Sequence, residues 1–232
     1  MQNTRDALTR GMKVGQHTST MLYGFDTRTT DVQGSFYLDT DWYVATVKFY
    51  PKTITTPKGT VRLDSLADIQ IRVILKGNDV EFNTPEGIKV ISGTLIKSFT
   101  AKKENQTSKN YINTLEFIDN YDKVKPSFFE ILADGKIKLL EYYKVIVQKP
   151  DYVDAFNVGS KDIKIIKQTQ LFITQGKEII RFRSRKRQLF EAMTDKKTEI
   201  QKFIKENDLV IKDKNDLIKI FKYYNSITKE GL

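Results

Sequence analysis

Apolar and polar residues alternate with a period of two along much of the chain up to about residue 183. Residues 69–75, IQIRVIL, carry an apolar side chain at every odd position. Successive side chains of a β-strand point to opposite faces of a sheet, so this pattern predicts a strand with one buried face. The turn-forming residues KGND at 76–79 follow, and VEF at 80–82 resumes the alternation. The segment is therefore predicted to form a β-hairpin.

Two further hairpins are predicted nearer the C-terminus. Asp134-Gly135 separates two apolar runs, and both residues tolerate the positive φ of a type I′ turn. Residues 175–177, QGK, separate two more apolar runs. Further strand-like segments are 42–50, 88–99 and 111–118. Strands linked by hairpins pair antiparallel, so a sandwich or a curled sheet is expected.

The sheet region is expected to contain two loops and to follow an irregular N-terminal segment. Residues 50–59 contain Pro51 and Pro57, and residues 100–110 are polar, so both stretches are predicted to be loops. The first 20 residues show no sustained period, and residues 1–30 are interpreted as an N-terminal arm.

After Ser184 the apolar period becomes that of a helix. The apolar stripes are Leu189, Phe190 and Met193, then Ile200, Phe203 and Ile204, then Leu217, Ile218, Phe221 and Tyr224. Asn207 is predicted to cap the C-terminus of the second helix, and Asp213 the N-terminus of the third. Each stripe is expected to pack against the sheet.

The predicted fold class is α+β and mainly β, with hairpin-linked antiparallel strands and a C-terminal element of two or three short helices. The predicted domains are an N-terminal arm at 1–30, an antiparallel β domain at 31–183 and the helical element at 184–232.

Composition narrows the range of possible chemistry. The chain has no cysteine, which excludes disulfides, cysteine–zinc sites and thiol nucleophiles. No glycine-rich phosphate loop and no apolar run of transmembrane length occurs in the sequence. The one histidine, His17, stands in a polar stretch without ligand-spaced partners. The chain is therefore predicted not to be an enzyme and to hold neither a cofactor nor a metal ion.

The carboxylates of the chain allow an alternative prediction, in which the protein is a hydrolase. Asp39 and Asp41 are two residues apart, and Glu116, Asp119 and Asp122 cluster near the end of a predicted strand. Paired carboxylates can hydrolyse a glycosidic bond across a cleft. Aspartates in loops more often form turns, and the spaced oxygen ligands of an EF-hand calcium loop are missing.

Positive charge is concentrated towards the C-terminus. The net charge is +10, and residues 161–232 carry 18 Lys and Arg against 10 Asp and Glu. Within them, RFRSRKR at 181–187 has five basic side chains in seven residues. The candidate anion-binding residues are Arg181, Arg183, Arg185, Lys186 and Arg187. A surplus of this kind favours a polyanionic partner or an anionic membrane surface.

The basic segment lies where a strand is predicted to change into a helix, and this position bears on what the positive charge does. Ser184 is predicted to cap the following helix, which places three cations in its first turn. Cations there oppose the helix macrodipole, and an anion bound at the free N–H groups would relieve the repulsion. The alternative is that Glu178, Glu191 and Asp195 neutralise the segment while the arginine stems cover apolar surface.

Several segments together resemble a known family. They are GSFYL at 34–38, FFEILADGKIKLL at 128–140, YYKV at 142–145, DKKTEIQKFIKEN at 195–207 and DLIKIFKYYNS at 216–226. The chain is similar, over residues 34–227, to a family of uncharacterised secreted proteins from Bacteroidota. The resemblance implies a signal peptide, export and a periplasmic or outer-membrane location. Met1-Gln2 then looks like a start codon placed before a mature N-terminus. No catalytic residue comes with the family.

These observations favour an exported accessory or binding protein of the cell envelope. Its basic segment is expected to contact an anionic envelope component, such as lipid phosphates, or a partner protein. The alternative is a cytosolic nucleic-acid-binding protein that uses the same basic surface. Exposed strand edges allow two copies of the chain to pair, but nothing in the sequence requires a dimer.

Overall fold

The computed structural model describes residues 31–56, 59–104, 106–120, 124–151 and 160–229. Within these ranges the chain forms eleven strands and, in its C-terminal part, three short α-helices. The α+β, mainly β prediction is thereby confirmed. The finer choice between a sandwich and a curled sheet stays a prediction, and the predicted N-terminal arm lies outside the described residues.

The regular elements follow one another in a run of strands and then a run of helices. The strands are β1 (Val32–Gly34), β2 (Tyr43–Thr56), β3 (Gly59–Ile74), β4 (Asp79–Thr84), β5 (Gly87–Ser92), β6 (Ile96–Lys102), β7 (Lys109–Asn113), β8 (Phe128–Ala133), β9 (Leu139–Gln148), β10 (Ile163–Gln175) and β11 (Glu178–Phe182). The helices are α1 (Lys186–Ala192), α2 (Lys197–Glu206) and α3 (Lys214–Lys229).

The described residues divide into two compact units. The first consists of the residues up to Ser108 together with Tyr143–Gln168, and the second of Lys109–Tyr142 and the residues from Thr169 onwards. Strands β9 and β10 each contribute residues to both units. The domain limits drawn from the sequence, 31–183 and 184–232, stay predictions.

In the first unit, hydrogen bonds join neighbouring strands in the order β6-β2-β3-β4-β5, and these pairs are antiparallel. Strand β1 pairs parallel with the start of β10, with Val32 opposite Ile163. In β2, Tyr43, Ala45 and Val47 are buried and the residues between them exposed, as period-two alternation requires. The predicted hairpin over residues 69–82 is confirmed as β3 and β4.

Two predicted loops of this unit are shorter than the sequence indicated. Strand β2 continues through the proline-containing stretch to Thr56, and β6 continues to Lys102. Pro51 lies where the pairing of β2 with β3 shifts register, between Lys48 and Lys52. A proline has no N–H to donate, and a register shift is where a strand tolerates that loss. Pro51 was therefore a misleading signal for a loop, and Pro57 lies outside the described residues.

In the second unit the strand order is β7-β8-β9-β10-β11. Adjacent residues of one strand enter different apolar clusters: Leu139 and Ile173 pack with the helices, and Leu140 and Phe172 pack on the opposite face. A sheet covered on both faces requires apolar residues at successive positions. The expectation that the helical stripes pack against the sheet is confirmed, because Leu189, Ile200, Leu217 and Phe221 share one core with strand residues.

The helix caps agree with the sequence in two of three cases. Asp213 accepts a hydrogen bond from the backbone N–H of Asp216 at 2.9 Å, as an N-cap residue does. Asn207 is the C-cap of α2, and its Nδ2 donates to the carbonyl of Phe203 at 2.9 Å. The predicted N-cap Ser184 is wrong: Arg185 holds that position on α1, without a side-chain hydrogen bond.

The second predicted hairpin exists as β8 and β9, but its turn is longer than a two-residue type I′ turn. Ala133 pairs with Leu139, so residues 134–138 form the connection. The side chain of Asn225, on α3, is 3% exposed and bonds to this connection. Its Oδ1 accepts from the N–H of Ile137 at 3.1 Å, and its Nδ2 donates to the carbonyls of Asp134 at 3.2 Å and Ile137 at 2.9 Å.

The close approach of Asn225 also explains the glycine in this connection. Gly135 has φ of +149°, and a Cβ placed there would lie 2.4 Å from Cγ of Asn225. A larger residue would push the amide away from the backbone groups it binds. The third predicted hairpin is confirmed with its short turn, since Gln175 pairs directly with Glu178 and Gly176 has φ of +62°.

We expect Asn225→Ala to lower the free energy of unfolding by about 2–4 kcal/mol, because it removes the partners of three backbone groups at a buried site. Urea unfolding followed by circular dichroism measures the change. Ser226→Ala, one residue further along the exposed side of α3, is the control and should change stability by less than about 0.5 kcal/mol. Equal stability of the two variants would contradict a stabilising role for the Asn225 amide.

Candidate anion-binding corner

The basic corner, residues 181–187, joins β11 to α1 in the second unit. Phe182 ends β11 and is 3% exposed, and Leu189 in α1 is fully buried. Both side chains belong to the apolar core beneath the helices. Because they point inward, Arg183, Arg185 and Arg187 are left on the exposed side of the chain.

The side chain of Gln188 forms two hydrogen bonds to the backbone of this corner. Its Oε1 accepts from the N–H of Arg183 at 2.9 Å, and its Nε2 donates to the carbonyl of Arg181 at 2.5 Å. Ser184 has a left-handed backbone with φ of +51°, which turns the chain between strand and helix. The backbone of the corner is therefore bonded to a side chain of the helix, that of Gln188, and Ser184 supplies the turn and not the predicted cap.

Three of the five candidate residues line a common surface depression. Arg183, Arg185 and Arg187, with Gln188 and Glu191, enclose about 280 Å³. Guanidinium groups present planar pairs of N–H donors that match the oxygen atoms of phosphates and carboxylates. The structure thus brings together three anion-binding side chains that lie at alternate positions of the sequence.

The remaining two candidates are placed differently. Arg181 is half-buried and lies opposite Phe172 in the pairing of β11 with β10. Lys186 lies on the other side of α1, where its Nζ is 5.9 Å from the centre of the Phe190 ring. Of the five cations predicted to act together, only three therefore line the depression. Lys186 is separated from them because consecutive residues entering a helix diverge around its axis, and Arg181 belongs to β11.

Of the three arginines that line the depression, only Arg187 forms an ion pair with a carboxylate of the described residues. Glu191 Oε1 lies 2.7 Å from Nε of Arg187, and this hydrogen bond, with the charge of Glu191, raises the pKa of the Arg187 guanidinium above its ordinary value. Within the described ranges, no carboxylate lies within 4.0 Å of the side-chain nitrogens of Arg183 or Arg185. Of the three predicted neutralising acids, only Glu191 pairs with the corner.

Asp195 pairs instead with the connection between β8 and β9. Its Oδ2 lies 2.6 Å from Nζ of Lys136, and its Oδ1 accepts from the hydroxyl of Tyr224 at 2.9 Å. The hydrogen bond from Lys136, reinforced by that of Tyr224, holds the pKa of Asp195 below its ordinary value although burial opposes this. Burial, followed by the hydrogen bond to Asp195, raises the pKa of the Tyr224 hydroxyl.

We expect the stabilising effect of Asp195 to depend on pH. A carboxyl whose pKa is lower in the folded than in the unfolded chain stabilises the fold above the unfolded pKa of about 3.9 and loses this effect as pH falls through the folded pKa. Asp195→Asn should therefore be less stable than the parent near pH 7, by less than about 1 kcal/mol because the pair is partly exposed, and the difference should shrink towards pH 3.

Urea unfolding at several pH values measures this difference. Glu86→Gln removes an exposed carboxylate that forms no ion pair with any described residue, and it serves as the control. A penalty for Asp195→Asn that stayed constant from neutral to acidic pH would show that the carboxylate charge does not matter.

The carboxylates considered for hydrolysis are engaged by a lysine. In the first unit, Nζ of Lys103 lies 2.6 Å from Oδ2 of Asp39 and 2.9 Å from Oδ2 of Asp41. Burial acts to raise the pKa of Asp39, but the hydrogen bonds from Lys103, the backbone of Asp41 and Tyr43 together hold it below its ordinary value. The ammonium group occupies the position that a metal cation between these carboxylates would need.

Two of the other candidate carboxylates, Glu116 and Asp119, follow β7 in the chain. Glu116 lies in a short 3-10 turn after β7, whereas the carboxylate of Asp119 accepts a hydrogen bond from the N–H of Val124. Asp122 lies outside the described residues. Elsewhere in the described part of the chain, no group of three or more potential metal-binding side chains occurs.

A pair of buried glutamates was not among the residues predicted from the sequence. Glu130 and Glu141 lie directly opposite each other in β8 and β9 and are 5% and 3% exposed. Nζ of Lys109 lies 3.1 Å from Glu130 Oε1, and Nζ of Lys214 lies 2.6 Å from Glu141 Oε2. A single glutamate within each of the runs FFEIL and LLEYY was the available signal. Each buried carboxylate has a lysine partner, so removing either lysine would take the ammonium group away from a carboxylate that water does not reach.

We expect Lys214→Ala to lower the free energy of unfolding by about 1–3 kcal/mol, because it leaves the Glu141 carboxylate buried without its ammonium partner. Chemical denaturation at neutral pH measures the loss. Lys222→Ala, on an exposed position of the same helix, is the matched control, with an expected effect below about 0.5 kcal/mol. Similar losses in the two variants would mean that the ion pair with Glu141 contributes nothing specific.

No helix among the described residues combines the length and the apolar character needed to span a bilayer. Comparison of the chain with protein-family models, with curated proteins and with solved structures finds no match. The function of the basic corner therefore rests on its own geometry and charge.

Proposed function

We propose that this protein is an exported binding or accessory protein of the cell envelope, and that it contacts an anionic surface through the arginines of the basic corner. The observation that carries the proposal is the depression lined by Arg183, Arg185 and Arg187, which contains a single carboxylate, that of Glu191. Two of these guanidinium groups lack an ion-pair partner among the described residues. Phosphate groups of lipids supply the complementary charge.

The rigidity of the corner supports this role. Phe182 and Leu189 anchor its two ends in the core, and Gln188 bonds to the backbone on both sides of Phe182. Arginines held on a fixed backbone lose less conformational entropy on binding than arginines on a free loop. The corner is therefore a more effective anion contact than its charge alone would indicate.

The alternative ligand for the same arginines is nucleic acid. Sites for single strands combine basic residues with aromatic rings on which bases stack. The depression at the corner is lined by arginine, glutamine and glutamate side chains and by no aromatic ring. This difference favours a phosphate-bearing surface over a single-stranded nucleic acid.

The envelope location is part of the proposal and rests on the resemblance to secreted proteins of Bacteroidota. Fractionation of the native host, with N-terminal sequencing of the mature chain, tests it. A chain that begins at Gln2 in the periplasmic or membrane fraction would support export. A full-length chain in the cytosol would contradict it and would make nucleic acid the leading ligand.

We expect replacement of Arg183, Arg185 and Arg187 by Gln to weaken binding to vesicles of phosphatidylglycerol and phosphatidylcholine by about 100-fold, since each basic residue near an anionic surface contributes about 1 kcal/mol. Co-sedimentation with vesicles at low ionic strength measures the affinity. Vesicles of phosphatidylcholine alone should bind neither protein.

The matched control removes the same charge elsewhere on the second unit, by replacing the exposed Lys177, Lys197 and Lys222 with Gln. Equal loss of binding in the two triple variants would show that net charge, and not the corner, attracts the vesicles. Binding of the parent to single-stranded DNA with a steep salt dependence, and none to vesicles, would replace the proposal with the nucleic-acid alternative.

A further inference from the structure

A second concave surface lies on the opposite side of α1 from the arginine depression. We call it the lysine groove. It encloses about 780 Å³ and is lined by Ser184, Lys186, Phe190, Gln201, Ile204, Lys205, Leu209, Val210, Ile211 and Lys212. Its volume falls within the range of about 300–1,000 Å³ that is typical of sites for small molecules.

The floor and the rim of the lysine groove differ in character. Phe190, Ile204, Leu209 and Ile211 provide a buried or half-buried apolar floor, and Val210 is 56% exposed. A valine exposed to that degree beside other apolar side chains costs hydration free energy that a bound apolar group would recover. The floor therefore suits an apolar chain.

The positive charges of the rim are not paired with carboxylates of the described residues. Lys186, Lys205 and Lys212 line the groove, and no carboxylate is among the lining residues. Across the described ranges, none of these three lysines forms an ion pair, although neighbouring lysines such as Lys196, Lys202 and Lys219 do. A ligand that fits both floor and rim needs one anionic end and one apolar body.

The far wall of the groove is fixed before any ligand binds. Asp208, with φ of +51°, follows the C-cap residue of α2 and turns the chain. The N–H of Val210 donates to Oδ2 of Asp216 at 3.1 Å, and its carbonyl accepts from the N–H of Asp213 at 2.9 Å. The N–H of Leu209 donates to the carbonyl of Ile204 at 3.0 Å. A wall held by hydrogen bonds in this way lowers the entropic cost of binding.

We propose that the lysine groove binds a medium- or long-chain fatty acid, with the carboxylate at Lys186, Lys205 and Lys212 and the acyl chain along the apolar floor. Charge complementarity selects this ligand: a neutral lipid would leave the three ammonium groups unused, and a small hydrophilic anion would leave the floor exposed. The binding function is additional to the anion contacts of the basic corner, because the two surfaces share no lining residue.

Isothermal titration calorimetry with dodecanoate, below its micelle concentration, tests the proposal on the intact chain. Dodecanoate should bind at least about tenfold more tightly than butyrate, because each buried methylene group contributes about 0.8 kcal/mol when fully removed from water. It should also bind at least about tenfold more tightly than dodecanol, which has the same chain length and no charge. Equal affinity for dodecanoate and dodecanol, or no binding of dodecanoate, would overturn the proposal.

Val210→Asp places a negative charge in the groove at an exposed position, so the fold should be retained. We expect it to weaken dodecanoate binding by about tenfold or more. Leu115→Asp, at a position 53% exposed in the same unit but outside the groove, is the matched control and should leave the affinity within about twofold. Circular dichroism establishes that both variants are folded.

Charge removal gives a second, independent readout. Lys186, Lys205 and Lys212 replaced together by Gln should weaken dodecanoate binding by about tenfold, whereas the triple variants at Arg183, Arg185 and Arg187 or at Lys177, Lys197 and Lys222 should retain it. Binding unaffected by the groove variants would overturn the assignment. So would sedimentation showing self-association that Val210→Asp abolishes, since a second copy of the chain would then be the occupant.

Discussion

The amide of Asn225 is the contact on which the arrangement of the second unit depends. It bonds to the N–H and carbonyl of Ile137 and to the carbonyl of Asp134, and it is almost fully buried. A five-residue connection that enters the core has backbone groups which water cannot reach, so some side chain has to satisfy them. Asn225 does this from α3, and it thereby fixes the position of that helix on the sheet. Glycine at position 135 allows this close approach, because a Cβ there would lie 2.4 Å from Cγ of Asn225.

Other residues of α3 form further contacts within the second unit. Lys214 compensates the buried charge of Glu141 near the start of the helix, and the hydroxyl of Tyr224 bonds to Asp195 beside Lys136. Leu217 and Phe221 fill the core between these polar contacts. Directional hydrogen bonds thus define the register of the helix, while apolar burial supplies most of the stabilisation.

The two proposed binding surfaces follow from how α1 is held on this core. Its inward residues, Leu189 and Phe190, leave one side of the helix to the arginines and the other to Lys186. The arginine depression is polar and suits oxygen-rich anions. The lysine groove has an apolar floor and suits an anion with an acyl chain. One short helix therefore separates the arginines of the depression from Lys186 of the groove, although the linear run RFRSRKR presents these residues as a single cluster.

The sequence by itself determined the elements that depend on neighbouring residues. Period-two alternation located the strands, glycine-containing turns located the three hairpins, and Asp213 and Asn207 marked helix ends, because backbone conformation and capping are decided within a few residues. Only the tertiary structure decided the contacts between distant residues. Asn225 and Ile137 are 88 positions apart, and Lys103 reaches Asp41 across 62. Such partners are selected by packing, which no local pattern encodes. The same reason explains why the side chain of Gln188 binds the backbone of the corner, and why only three of its five cations line the depression.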